Sequence, residues 1–135
     1  MTLHTSVRHG CLIVEMPPEV DLGNAEPLRQ ELREMCRTLL SPATRDGVSA
    51  VVVDWAAAPF LTIAGVAVLD DFRQRVAQCG LPVRVVASRR SPRAVLQIVG
   101  LDGVLPVHDT VEQALAGHEA TERGGDRPGT DRATS

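Results

Sequence analysis

Residues Ala50 to Val53 form an unbroken apolar run, Ala-Val-Val-Val, closed by Asp54 and Trp55. A short β-branched run without polar alternation reads as a strand buried on both faces, which requires helices packed on the sheet that contains it. A loop from Ala56 to Ala64 follows, then Gly65 and apolar residues at Val66, Leu69, Phe72 and Val76. Those steps of three and four predict a helix. A buried strand that delivers its carboxyl end onto a helix start is where α/β proteins usually place function, so Phe60-Leu61-Thr62-Ile63-Ala64-Gly65 is the first candidate site. Free backbone N–H groups at that helix start would suit an anion such as a phosphoryl group.

The rest of the chain arranges itself around this unit. Leu3 to Val7 and Cys11 to Met16 read as two strands joined by a turn at Arg8-His9-Gly10. Pro17-Pro18 ends the second strand, because neither residue can donate to a ladder. Glu19 to Leu22 is a short acidic loop, and Asn24 is placed to cap a helix that tolerates Pro27 in its first turn. Leu28, Leu32, Met35, Cys36 and Leu39 give that helix one apolar stripe, while Arg29, Glu31, Arg33 and Glu34 face water. Ser41 to Ser49 is a connecting loop. Beyond Gln78, Cys79-Gly80 stops the second helix, and Leu81 to Ala87 is another buried strand. Ser91 as cap and Pro92 at the first helical position predict a short helix over Ala94 to Val99. Leu101 to Val107 turns into a short strand, and Thr110-Val111-Glu112-Gln113 is a capping box that opens a last helix. The predicted order, ββαβαβαβα, is an α/β fold with a mixed sheet of about five strands and about four helices on it. The domain is expected to span residues 1–118. Glu119 to Ser135 carries many charges and glycines and no Val, Ile, Leu, Met or Phe, so it is read as a disordered polar tail.

Composition removes several function classes. The chain has 135 residues and a net charge of −3, which suits one domain and argues against a general nucleic-acid or anionic-membrane surface. Trp55, Phe60 and Phe72 are its only aromatics, too few for a base-stacking platform. Cys11, Cys36 and Cys79 are odd in number and form no CxxC, so they read as buried reduced thiols of a cytoplasmic protein. No leader and no apolar run of about 18 residues is present, so neither export nor membrane spanning is expected.

The chemistry-bearing residues form no catalytic set. His4, His9, His108 and His118 are scattered, without metal-ligand spacing, and read as solvated or incidental. Asp70 and Asp71 diverge by about 100° on a helix and do not share a site. The arginines of Ser88-Arg89-Arg90-Ser91-Pro92-Arg93 read as a solvated loop, and Trp55 as core rather than an interface anchor. No phosphate-binding, zincin or nucleophile-elbow motif is present, so no enzyme activity, cofactor or metal is expected. Two segments remain, Glu19-Val20-Asp21-Leu22-Gly23-Asn24-Ala25 and Phe60 to Gly65.

Together these segments resemble the STAS domain of bacterial anti-sigma-factor antagonists over nearly all of residues 3–118. One family hallmark, Gly-Glu-apolar-Asp before an Ala-x-x-Leu helix, is matched by Pro18-Glu19-Val20-Asp21 and Ala25-Glu26-Pro27-Leu28. A second, a Val-Val-Val-Asp-Leu strand and a Phe-x-Asp-Ser-Ser-Gly-Leu loop, is matched by Val51 to Trp55 and Phe60 to Val66. A third runs from Val95-Leu96-Gln97-Ile98-Val99-Gly100-Leu101-Asp102 into Leu105-Pro106-Val107-His108.

The resemblance implies the STAS fold and a binding module that sequesters an anti-sigma factor, thereby freeing a sigma factor for transcription. The implied partner has a GHKL-type, kinase-like fold; in switchable members it phosphorylates the serine just before the loop glycine, adding about −1.5 to −2 charges. Here that acceptor position is Ala64, which carries no oxygen, and Ile63 and Thr62 replace the preceding serine and aspartate. Thr62 is the loop's one remaining hydroxyl and the weaker acceptor; it reads first as a helix-start hydroxyl bond. Pro18 stands where the family has glycine, which stiffens the acidic loop. The partner-binding residues expected are Glu19, Asp21, Asn24, Thr62, Ile63, Ala64 and Gly65. A scaffold or adaptor STAS module in another signalling or transporter-accessory complex is the alternative. Oligomeric state, a homodimer included, stays open at this level.

Overall fold

A computed structural model describes residues 3–124. In chain order the elements are β1 (His4–Arg8), β2 (Cys11–Glu15), α1 (Ala25–Leu39), β3 (Ala50–Asp54), α2 (Ile63–Gln78), β4 (Val83–Val86), α3 (Arg90–Ile98), a 3-10 turn (Leu101–Gly103), β5 (Val107–His108) and α4 (Val111–Gly124). The sheet runs β1-β2-β3-β4-β5, with β1 antiparallel to β2 and every other pair parallel. This is the expected mixed sheet with four helices.

The hairpin between β1 and β2 turns through His9 at φ 52° and Gly10 at φ 78°. Two left-handed residues in a two-residue loop match the twist of the flanking strands. A Cβ on Gly10 would also stand 3.2 Å from the Ser49 hydroxyl.

The apolar run lies where its pattern placed it. Ala50, Val51, Val52 and Val53 are all fully buried at the centre of the sheet. Their side chains alternate between two cores, as the pleat demands. Val51 and Val53 join Leu12, Val14, Val85, Leu28, Leu32, Leu69 and Phe72 in the larger core. Ala50 and Val52 join Cys11, Ile13, Val86, Ala114 and Leu115 beneath α4. Burial of each valine contributes about 1.5–3 kcal/mol, so this run anchors both layers. Trp55 is buried as expected, and its Nε1–H donates to the Pro17 carbonyl at 2.9 Å.

Several local expectations are corrected. Helix α2 begins at Ile63, ahead of Gly65, because Thr62 caps it. Helix α3 begins at Arg90, so Ser91 and Pro92 lie inside its first turn; proline's missing donor is harmless there because first-turn N–H groups have no intrahelical acceptor. Leu39 is 40% exposed, and Leu40, one turn beyond Cys36 at the end of α1, takes the inward position. In the capping box Gln113 N–H donates to Thr110 Oγ1 at 3.1 Å, while the Gln113 amide oxygen accepts from Asp109 N–H rather than from Thr110. Helix α4 continues to Gly124, past the expected boundary at His118; the remainder of the expected tail lies outside the described residues.

Polar packing explains that longer helix and corrects the reading of two histidines. His118 is buried, with Nε2 2.8 Å from Ser49 Oγ. Arg84 reaches from β4 to donate to the Gly117 carbonyl at 3.1 Å and to Thr121 Oγ1 at 2.8 Å. Its other terminal nitrogen lies 3.1 Å from His108 Nε2. Gly117 permits this approach, since a Cβ there would meet Arg84 at 3.0 Å and His108 at 3.1 Å. Burial first, and the Arg84 guanidinium second, hold the His108 pKa below its ordinary value, so the imidazole is a neutral acceptor.

Cys11 and Cys36 are buried free thiols and Cys79 is partly buried. Burial pushes Cys36 up to about 11 and raises Cys11 as well, which keeps both protonated. Asp70 and Asp71 diverge as expected: Asp70 pairs with Arg73 at 2.8 Å, and Asp71 with Arg75 at 3.1 Å and Arg33 at 3.6 Å.

Candidate partner-docking site

Two segments far apart in sequence meet at the carboxyl end of β3. The acidic loop is folded by its own side chains. Asp21 Oδ1 accepts from the N–H groups of Gly23 at 2.8 Å and Asn24 at 3.1 Å. Asn24 returns the bonds, its Oδ1 accepting from Asp21 N–H at 2.8 Å and its Nδ2 donating to the Glu19 carbonyl at 2.9 Å. Asn24 occupies the cap position of α1, yet its side chain makes no capping bond to that helix, which corrects the expected role. An Asx-type loop uses the side chain instead.

Thr62 joins this loop to α2. Its hydroxyl accepts from Gly65 N–H at 2.9 Å and donates to the Val20 carbonyl. Val20 itself is buried. Val66 N–H is satisfied by the Thr62 carbonyl at 2.9 Å. The start of α2 is therefore capped in part from within: the Gly65 and Val66 donors are engaged, which leaves the Ile63 and Ala64 N–H groups as the donors of the expected anion site.

Between the two segments lies a groove of about 660 Å³, lined by Asp21, Leu22, Ala25, Arg29, Thr62, Ile63, Ala64 and Ala67. Leu22 is 91% exposed and Ile63 89% exposed. Isolated exposed apolar residues need no explanation, but two large ones on the same concave, apolar surface make it a candidate interaction site. Ala64 packs partly against the larger core, so the acceptor position presents only a methyl group there.

The structure thus brings together Asp21, Thr62, Ile63 and Ala64 in the groove wall, with Asn24 and Gly65 supporting them from behind. Glu19 contributes its backbone carbonyl; its side chain is not part of the wall. Leu22, Ala25, Arg29 and Ala67 are wall residues that sequence reasoning passed over. Their signal was available in the spacing: Ala25 and Arg29 are one turn apart on α1, and Ala64 and Ala67 one turn apart on α2. A second groove, of about 810 Å³, lies between the later halves of α1 and α2, but its Arg33, Arg37 and Arg75 are all paired with carboxylates. Among the described residues no cluster of His, Cys, Asp or Glu could hold a metal ion, and no helix is long and apolar enough to cross a membrane.

The two hallmark segments therefore line one groove, at the carboxyl end of the central strand. The STAS domain family model matches residues 2–114. The chain belongs to the STAS domain family. It is 26% identical over 116 residues to the anti-sigma-F factor antagonist RsfA of Mycobacterium tuberculosis, covering 84% of this chain and 86% of that protein. The crystal structure of an anti-sigma factor antagonist from Mycobacterium paratuberculosis superposes with a TM-score of 0.69 at 24% identity, covering 86% of this STAS chain and 92% of the other. The Thermotoga maritima protein TM1081 also gives 0.69, at 16% identity, with 85% and 92% covered.

Proposed function

We propose that this STAS protein is an anti-sigma factor antagonist. It is a cytoplasmic, non-enzymatic binding module that holds an anti-sigma factor of GHKL-type, kinase-like fold and thereby frees a sigma factor for transcription. The Asp21–Ala25 loop and the Thr62–Val66 helix start form its docking surface. What supports this reading is the apolar groove between the two hallmark segments, in a chain whose curated relative is an anti-sigma-F factor antagonist.

The protein works without the serine phospho-switch. The acceptor position is the Ala64 methyl group, and the Thr62 hydroxyl is engaged on both sides, by Gly65 N–H and the Val20 carbonyl. Phosphorylating Thr62 would remove the proton it donates to the Val20 carbonyl and so break the tie between α2 and the acidic loop. The partner's binding is therefore constitutive. The test is incubation with the purified anti-sigma kinases of the source organism and ATP, alongside calorimetric binding to each. Binding without phosphate in the Phe60–Gly65 loop is expected; stoichiometric phosphate there would refute the insensitive switch, and absence of binding to every one would refute the function.

A further inference from the structure

Arg29 stands out among the arginines of the two helices that flank the groove. Arg33, Arg37, Arg73 and Arg75 each pair with a carboxylate. Arg29 lines the groove, yet it forms no ion pair with any carboxylate among the described residues. Its Nε is shielded from solvent and has no hydrogen-bond acceptor. Glu26, three residues earlier on the same helix, accepts from Gln30 at 2.8 Å. Asp21, also in the groove lining, has Oδ1 bonded to the backbone of its own loop. Each of these acids thus has an oxygen bonded elsewhere, neither is ion-paired with Arg29, and Arg29 lines a wall that is otherwise largely apolar.

Resting on the docking reading above, we infer that the partner segment bound in this groove carries an aspartate or glutamate that pairs with Arg29, beside an apolar side chain seated between Leu22 and Ile63. A guanidinium matches a carboxylate through two parallel N–H···O bonds, and the apolar walls exclude water from that contact. Arginine is also among the residue types enriched in binding hot spots. Ala64 and Ala67 contribute only methyl groups to the lining, which leaves room for such an anchor.

The test measures binding of each purified anti-sigma factor of the source organism by calorimetry, at low and at high salt. Arg29→Glu is expected to weaken the complex about 30-fold or more and to flatten its salt dependence, and Arg29→Gln to weaken it less. Changing the matching partner carboxylate to arginine should restore binding to Arg29→Glu. Circular dichroism confirms that both variants fold; Arg29 is a helix-surface position. If wild type binds and Ile63→Asp abolishes binding, while Arg29→Glu and Arg29→Gln bind within about 2-fold of wild type, the carboxylate inference is wrong and the docking surface stands. If no anti-sigma factor binds the wild type, the proposed function fails and the inference falls with it.

Discussion

The Thr62 hydroxyl donates to the Val20 backbone carbonyl across 42 positions of sequence while accepting from Gly65 N–H at 2.9 Å. One side chain thereby caps α2 and pins the acidic loop beside it. The tie holds the loop that carries Leu22 beside the helix start that carries Ile63, and both residues line one concavity.

Thr62→Val keeps the shape of the side chain and removes both bonds. It is expected to lower stability by about 1–2 kcal/mol, the usual range for losing an N-cap, and Thr62→Ser should recover most of it. Urea denaturation reads this directly. A loss below about 0.3 kcal/mol would show that the cap and the tie are dispensable.

Ala64→Ser restores a hydroxyl at the acceptor position. With the partner kinase and ATP it is expected to gain one phosphate, seen by mass spectrometry, and then to bind the partner at least about 10-fold more weakly. In the complex a dianion on this largely apolar wall would lose its hydration, and the Gly65 N–H is already taken by Thr62. Equal affinity of the phosphorylated variant would show that the groove is not the contact.

Trp55→Phe removes the donor that satisfies the Pro17 carbonyl and leaves a space in a fully packed site. The expected loss is about 2–3 kcal/mol, from the orphaned carbonyl and the missing ring together. Thermal unfolding should show it as a drop of several degrees. A neutral result would mean that the chain end of β2 relaxes to reach another donor.

His108 gives stability a pH dependence. Its folded pKa lies below the ordinary 6.5 because of burial and the Arg84 guanidinium. Below pH about 6.5 the unfolded chain therefore binds the proton more readily than the folded one, and stability falls as pH drops from there toward the folded pKa. His108→Gln, which keeps an acceptor for Arg84, should show a shallower loss of melting temperature between pH 7.5 and pH 5 than the wild type. Parallel curves would remove His108 as the cause.

The order of elements and both faces of the central strand were legible because they rest on local periodicity. Val51 and Val53 on one side and Ala50 and Val52 on the other follow from the pleat alone. Helix boundaries were less legible. Arg90 rather than Ala94 opens α3, since a proline in the first turn leaves no trace that separates the first position from the third. The histidines were misread for a different reason: Ser49 and Arg84, which receive His118 and His108, are 69 and 24 positions away.

The chain's residues by themselves determined the α/β alternation, the buried central strand and the absence of a hydroxyl at Ala64. They also carried the resemblance to the STAS family. Only tertiary structure decided that Thr62 ties the helix start to the Val20 carbonyl, that Leu22 and Ile63 share one groove, and that Arg29 lines it without an ion pair. Periodicity reports which side of its own element a residue occupies. Which carboxylate or carbonyl lies opposite depends on packing between segments the sequence keeps far apart.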